Sequence, residues 1–223
     1  MAERQNADLP RISMVGTCAL LCESTGPLDI EHQRRIWALT EEVSKWKHVL
    51  EVMPCLNNLM VIFDPFETTI ETLEQKLIDA WVNCEASPVQ GKLVEIPVVY
   101  GGEFGLDLQE SAEHARVSIE QFVEIHTSAD YVVYALGSHP GFAYMGGLDP
   151  RIFVPRRTEP RLLVKAGSVA IGGSQTGVIT WATPSGWNLI GSSSLSFFDP
   201  DTEPPALLEP GDRIRFRAER IER

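Results

Sequence analysis

The chain has 223 residues, 43% hydrophobic and 22% charged, enough apolar mass to bury one sizeable core or two modest ones. Its formal net charge of −12, from 31 acids against 19 lysines and arginines, argues against nucleic-acid binding, which needs a basic surface to displace counterions from phosphates. No apolar run approaches the ~20 residues of a membrane-spanning helix and no N-terminal segment reads as a secretion signal, so a cytoplasmic protein without a membrane partner is expected.

The first eight residues (MAERQNAD) read as a loose polar arm. Residues 12–15 (ISMV) and 18–22 (CALLC) read as short strands, turned at Gly16 and Thr17. A helix capped by Asp29 follows, with Ile36, Leu39, Val43 and Trp46 at steps of three and four forming one buried stripe. Residues 49–53 and 59–63 read as two more strands, stopped by Asp64 and Pro65. A second helix opens with Thr68 and Glu71 in capping-box spacing and buries Ile70, Leu73, Leu77, Ile78 and Trp81. This ββαββα order predicts an antiparallel sheet covered by two helices. Cys18 and Cys22 would share one face of a strand, a spacing that would suit a metal or redox pair. With no second Cys/His pair to complete a zinc site, they read instead as small buried apolar residues, and no metal site is expected.

Residues 85–91 carry turn residues without periodicity and read as a linker, giving an α+β N-terminal domain over 1–90 and a second domain over 91–223. The second opens with a strand at 93–100. Two short helices follow, each with a capping signal: Asp107 with Glu110, and Ser118 with Gln121. His114 and His126, on these helices, read as surface residues. From Tyr131 onward the segments YVVYAL, RLLV, SVAI, VITWA, WNLIG, LSFF and RIRFRA, separated by Gly and Pro turns, have the grammar of a barrel or sandwich.

Three stretches carry the functional signal. GSHPGFAYMGG (137–147) holds four glycines and a proline, a density that argues against a helix or a central strand. It reads as a tight barrel corner, as a ligand-facing loop exposing His139, Phe142 and Tyr144, or as both. PRRTEPRLLVKAGSVAIGGSQTG (155–177) clusters Arg156, Arg157, Arg161 and Lys165 in an acidic protein. It reads equally as an anion site or as surface charges paired with Glu159 and nearby acids. The glycine turn at 172–177, with Gln175 and Thr176, reads equally as a backbone nest for an anion or as a plain hairpin. ATPSGWNLIG (182–191) places Trp187 and Asn188 after a Pro-Ser-Gly turn, as a core anchor or as a pocket wall. Walker A, GxSxG and HExxH motifs are absent.

The segments VEIPVVYGGEFGLDL, PGFAYMGGLDPRIFVPRR, PRLLVKAGSVAIGG, QTGVITWATPSGWNLIG and LLEPGDRIRF, in this order, resemble the family that includes the B subunit of 5-oxoprolinase, allophanate hydrolase subunit 1 and the sporulation kinase inhibitor KipI. The resemblance implies an α+β N-terminal domain followed by a cyclophilin-like β-barrel of the kind found in carboxyltransferase domains. It implies a hydrolase component, inactive alone, acting on a cyclic amide together with a homologous C subunit (KipA-like) and an A subunit (LamB/YcsF-like). The implied reaction uses ATP, with magnesium bound by the complex, to open 5-oxoproline to glutamate. The implied alternatives are a regulatory inhibitor of a sensor histidine kinase and a component of another amide- or urea-processing complex. Gly137 and Met145 stand where active cyclophilins carry arginine and glutamine, so no prolyl isomerase activity is expected. On this reading His139, Arg161 and Gln175 are candidate catalytic residues, and Phe142, Tyr144, Arg156, Thr176, Trp187 and Asn188 candidate substrate contacts.

Overall fold

The structure, a computed structural model, describes residues 9–86 and 91–223. The polar arm at 1–8 and the central part of the linker (87–90) lie outside the described residues. The chain forms two compact units, divided between residues 89 and 90.

The first unit runs β1 (Arg11–Val15), β2 (Ala19–Glu23), α1 (Ile30–Val43), β3 (Val49–Cys55), β4 (Asn58–Phe63) and α2 (Ile70–Asn83). Its strands form one antiparallel sheet in the order β1-β2-β4-β3. Alternation along β4 buries Leu59, Val61 and Phe63, as a period of two demands of a sheet covered on one face. With Leu20 and Cys22 of β2 they meet Ile36, Leu39 and Val43 of α1 and Leu73, Leu77 and Trp81 of α2 in a single core. Asp29 caps α1 by accepting from the His32 N–H. The cap of α2 is Thr69, not Thr68: its backbone is extended and its hydroxyl accepts from the Thr72 N–H, the geometry an N-cap requires. The four cysteines are free thiols, and burial pushes the Cys22 thiol up to about 12.

The second unit runs β5 (Leu93–Gly101), α3 (Leu108–Ala115), α4 (Ile119–Ser128), β6 (Tyr131–Leu136), β7 (Ala143–Gly146), β8 (Arg161–Val164), β9 (Ser168–Gly172), β10 (Gln175–Val178), β11 (Thr183–Ser185), β12 (Asn188–Ser192) and β13 (Arg213–Glu222). Seven strands close a barrel in the order β10-β7-β6-β13-β5-β12-β9, while β8 and β11 pair as a separate ribbon. Strand β13 completes the barrel, lying parallel to β5 and antiparallel to β6. Ile96, Val98 and Tyr100 of β5, Val169 and Ile171 of β9, and Ile214 and Phe216 of β13 fill the interior, against Phe122 of α4.

Four expectations from the sequence are corrected here. VITWA is not one strand: β10 ends at Val178, and the Thr180 hydroxyl donates to the Pro140 carbonyl (2.6 Å), drawing the chain off before β11. LSFF contributes only an isolated bridge, Phe198 to Ala206. The glycine-rich stretch does carry a barrel strand, β7, paired with β6 and β10. A Cβ at Gly146 would overlap the Tyr134 ring, so a glycine there admits the neighbouring side chain rather than breaking the strand. His126 is no surface residue: it is fully buried, 0% exposed. Among the described residues, no helix is long and apolar enough to cross a membrane.

Candidate functional site

Three concavities stand out. A groove of about 630 Å³ runs along α1 and α2 in the first unit. One of about 750 Å³ lies beside Gly101–Leu106 and the Glu222–Arg223 end of β13. The third, about 320 Å³, is lined by Ser138, His139, Phe142, Tyr144, Arg156, Ile179 and residues 183–187. The smallest is the functional candidate, because it alone gathers an aromatic wall, an imidazole and an uncompensated cation.

Phe142, buried on the approach to β7, organises the wall. Its ring lies 5.0 Å from Tyr144 and 5.7 Å from Trp187, both edge to face, and 4.8 Å from the His139 imidazole. Edge-to-face pairs at these separations are the preferred aromatic packing and fix ring planes. Gly172 makes room for the indole: a Cβ there would lie 2.7 Å from the Trp187 ring atoms Cδ2 and Cε2. The Arg156 guanidinium carbon sits 5.6 Å from the centre of the Trp187 ring, within cation–π range. Among the described residues no carboxylate lies within ion-pair distance of Arg156, so its charge is available to a ligand.

His139 enters from the loop before β7, where Ser138 takes a left-handed backbone conformation (φ +60). Such a conformation is uncommon for a residue other than glycine and collects at functional loops. The His139 Nδ1 is 3.0 Å from the Ser138 hydroxyl, whereas its Nε2 is shielded from solvent and has no partner. Burial lowers its pKa, which favours a neutral ring able to take up or release a proton. The cleft can therefore seat a flat, partly apolar molecule against Phe142 and Trp187, hold its anionic group on Arg156 and offer a neutral imidazole.

Five of the nine sequence-predicted residues, His139, Phe142, Tyr144, Arg156 and Trp187, come together in this cleft. The other four do not line it. Arg161 is turned onto Asp107, its two terminal nitrogens donating to the two carboxylate oxygens at 2.7 Å each. Thr176 is wholly buried inside the barrel, its hydroxyl 2.9 Å from His126 Nε2 and donating to the Ala170 carbonyl. Asn188 donates from Nδ2 to the carbonyls of Pro155 and Ile171. Gln175 is half-buried at the start of β10, opposite Gly172. Asp107 makes no side-chain cap on α3; its carboxylate, 2% exposed, accepts instead from Arg157, Arg161 and the Leu189 N–H. The three arginines of the basic cluster thus divide between the two readings their sequence allows: Arg157 and Arg161 are paired, with Asp107, and Arg156 has no carboxylate partner among the described residues.

The family model for the carboxyltransferase domain, subdomain C and D, matches residues 10–208. The chain belongs to that family. The match begins at the edge of β1 and therefore takes in the first unit as well as the barrel. The B subunit of 5-oxoprolinase from Escherichia coli O157:H7 is 46% identical over 207 residues, covering 92% of this chain and 94% of that protein. Its Haemophilus influenzae namesake is 38% identical over 208 residues, covering 93% and 97%. The solved structure of PH0987, a conserved uncharacterized protein from Pyrococcus horikoshii, is 39% identical with a TM-score of 0.56, covering 93% of this chain and 97% of that one. The Kluyveromyces lactis urea amidolyase shares the fold, with a TM-score of 0.80 at 19% identity over 98% of this chain and 15% of that one.

In this member of the carboxyltransferase C and D family, the sequence marks Asp107 only as a helix cap and Arg157 only as one of a basic cluster, and does not single out the cleft positions Ser138, Thr183 and Ser185. Asp107 was masked by its place before a helix. The tandem Arg156-Arg157 holds the signal: Arg156 lines the cleft, and its neighbour Arg157 bonds the buried Asp107.

Proposed function

We propose that the chain is the B subunit of an ATP-dependent 5-oxoprolinase complex, working in the cytoplasm with C- and A-type subunits to convert 5-oxoproline to glutamate. The observation that carries the reading is identity of 46% and 38%, nearly end to end, with relatives named as B subunits of 5-oxoprolinase. The cleft is chemically suited to that substrate: a small lactam ring fits against Phe142 and Trp187, and its carboxylate meets the free guanidinium of Arg156.

A lactam is a resonance-stabilised amide, so its hydrolysis is helped when the amide is first activated. Phosphoryl transfer from ATP to the lactam oxygen makes the ring carbon electrophilic. Water adds, the C–N bond breaks as the nitrogen takes a proton, and the acyl phosphate loses phosphate to a second water. In this scheme Arg156 orients the substrate through its carboxylate. His139, neutral and with a free ring nitrogen, handles a proton at the ring carbon or nitrogen. Tyr144 backs the Phe142 ring. Arg161, Thr176 and Asn188 act by holding the barrel and the segments around the cleft through their hydrogen bonds. Magnesium would accompany the nucleotide, bound through its phosphates with one or two carboxylates and water; among the described residues no group of three His, Cys, Asp or Glu side chains is gathered as a metal site.

The test is phosphate release from ATP on addition of 5-oxoproline, with the chain co-expressed with its C- and A-type partners. Release is expected, and Arg156→Ala is expected to raise KM for 5-oxoproline by about 10- to 100-fold, the loss of one charge-assisted contact. A well-formed complex without lactam-dependent release would overturn the proposal.

A further inference from the structure

Arg156 and Trp187 face each other across two chain segments whose neighbouring residues are tied pairwise. On one side Asn188 Nδ2 donates to the Pro155 carbonyl at 2.8 Å, and on the other the Arg157 N–H donates to the Gly186 carbonyl at 2.8 Å. A third bond, from the Gly173 N–H to the Val154 carbonyl at 2.7 Å, pins the segment just upstream. The residues flanking Arg156 are thus bound to the residues flanking Trp187, and the cation is set over the indole by backbone register.

Asp107 fastens both segments at once. Its carboxylate accepts from Arg157 Nη1 at 2.8 Å, on the segment that carries Arg156, and from the Leu189 N–H at 2.7 Å, two residues beyond Trp187. The Asp107 N–H donates back to the Leu189 carbonyl at 2.8 Å. Arg161 closes the cluster with two further bonds of 2.7 Å. One carboxylate against two guanidinium groups leaves a surplus positive charge beside the cleft, in a chain of formal net charge −12. Arg157 does not line the cleft; its Nη1 is held by the Asp107 carboxylate, while its Nε is buried without a hydrogen-bond partner.

We infer that Asp107 and Arg157 are positioning residues: together they present Arg156 over Trp187 and so set the preference of the cleft for a ligand bearing a carboxylate. The inference rests on the proposed function for the identity of that ligand, and on the geometry alone for the positioning. Arg157 is the residue to change first, because removing Asp107 would leave two arginines without a counter-charge and invites unfolding.

In the reconstituted complex, Arg157→Met is expected to raise KM for 5-oxoproline roughly tenfold while kcat stays within about twofold, since a ground-state contact is weakened and the reacting atoms are not. The preference for 5-oxoproline over its uncharged carboxamide is expected to shrink by a similar factor, and Arg157→Lys, which keeps the charge, to restore part of it. A lowered melting temperature with KM and carboxylate preference unchanged would reduce Arg157 to a structural residue and overturn the inference. A second measurement needs no activity. In the full chain alone, the indole N–H resonance of Trp187, one of five tryptophans and assigned through Trp187→Phe, is expected to move in Arg157→Met and return toward its position in Arg157→Lys. An unmoved resonance overturns the positioning role even where the wild-type complex shows no lactam-dependent release, a result that would count against the proposed function alone.

Discussion

His126 spans the barrel interior with both ring nitrogens engaged, Nδ1 at 2.8 Å from the Tyr100 hydroxyl and Nε2 at 2.9 Å from Thr176. Burial lowers its pKa from 6.5 to about 3. The unfolded chain therefore binds a proton that the native state refuses at any pH between those values, and stability falls as pH drops through the unfolded value. Between pH 7 and pH 5 this linkage removes about 2 kcal/mol. Urea unfolding at the two pH values is expected to show that loss in the wild type and a clearly smaller one in His126→Gln; equal losses would place the acid sensitivity elsewhere. A second contrast lies in two adjacent glycines. Gly172→Ala drives a methyl against the Trp187 ring and is expected to weaken lactam-dependent phosphate release. Gly173→Ala meets nothing within 4 Å but keeps φ at +68, and is expected to cost about 1 kcal/mol of stability with release intact. Residue type and loop position were enough to collect His139, Phe142, Tyr144, Arg156 and Trp187 in advance. They misplaced Thr176 and His126, because a hydroxyl beside glycines and an imidazole on a short helix look the same in sequence whether they face water or a barrel interior.

The two short helices of the barrel unit show what spacing reveals about an element and what it hides. Ser118 and Gln121 form a complete capping box on α4, side chain to backbone in both directions. Ser118→Ala is expected to cost about 1 kcal/mol in thermal or urea unfolding. Asp107 has the same local signature ahead of α3, yet its side chain serves partners 50, 54 and 82 residues away in sequence. Nothing within one helical turn distinguishes the two cases; only the fold brings Arg157, Arg161 and Leu189 to that carboxylate. The same limit explains β7. Its glycines signal backbone freedom, a local property, whereas Gly146 is set by the Tyr134 ring of the neighbouring strand.

At the scale of the molecule, the first unit was legible because its order follows from periodicity: alternating strands and two amphipathic helices over one core. The barrel was legible as a class, from many short strands punctuated by glycine and proline, but its closure was not. Strand β13 lies between β5 and β6 in the ring, so its removal opens the barrel. A chain ending before Arg213 is expected to expose both edges and to elute as aggregate in size-exclusion chromatography; a monomeric, folded product would show that the ring tolerates opening.

The parallel pairing of β5 with β13 also sets an order of events. The Lys92 N–H, at the threshold of β5, is bonded to Asp212, 120 positions later, and closing a loop of that length costs about 4 kcal/mol of chain entropy before any contact repays it. During synthesis, β5 leaves the ribosome long before the strand that will lie beside it, and the hairpin of β9 and β10 can form while the ring is still open. Of the strands of the ring, β13 is made last, and it is the one that shuts the barrel. The interval before it arrives is when an exposed β5 edge is open to a wrong partner.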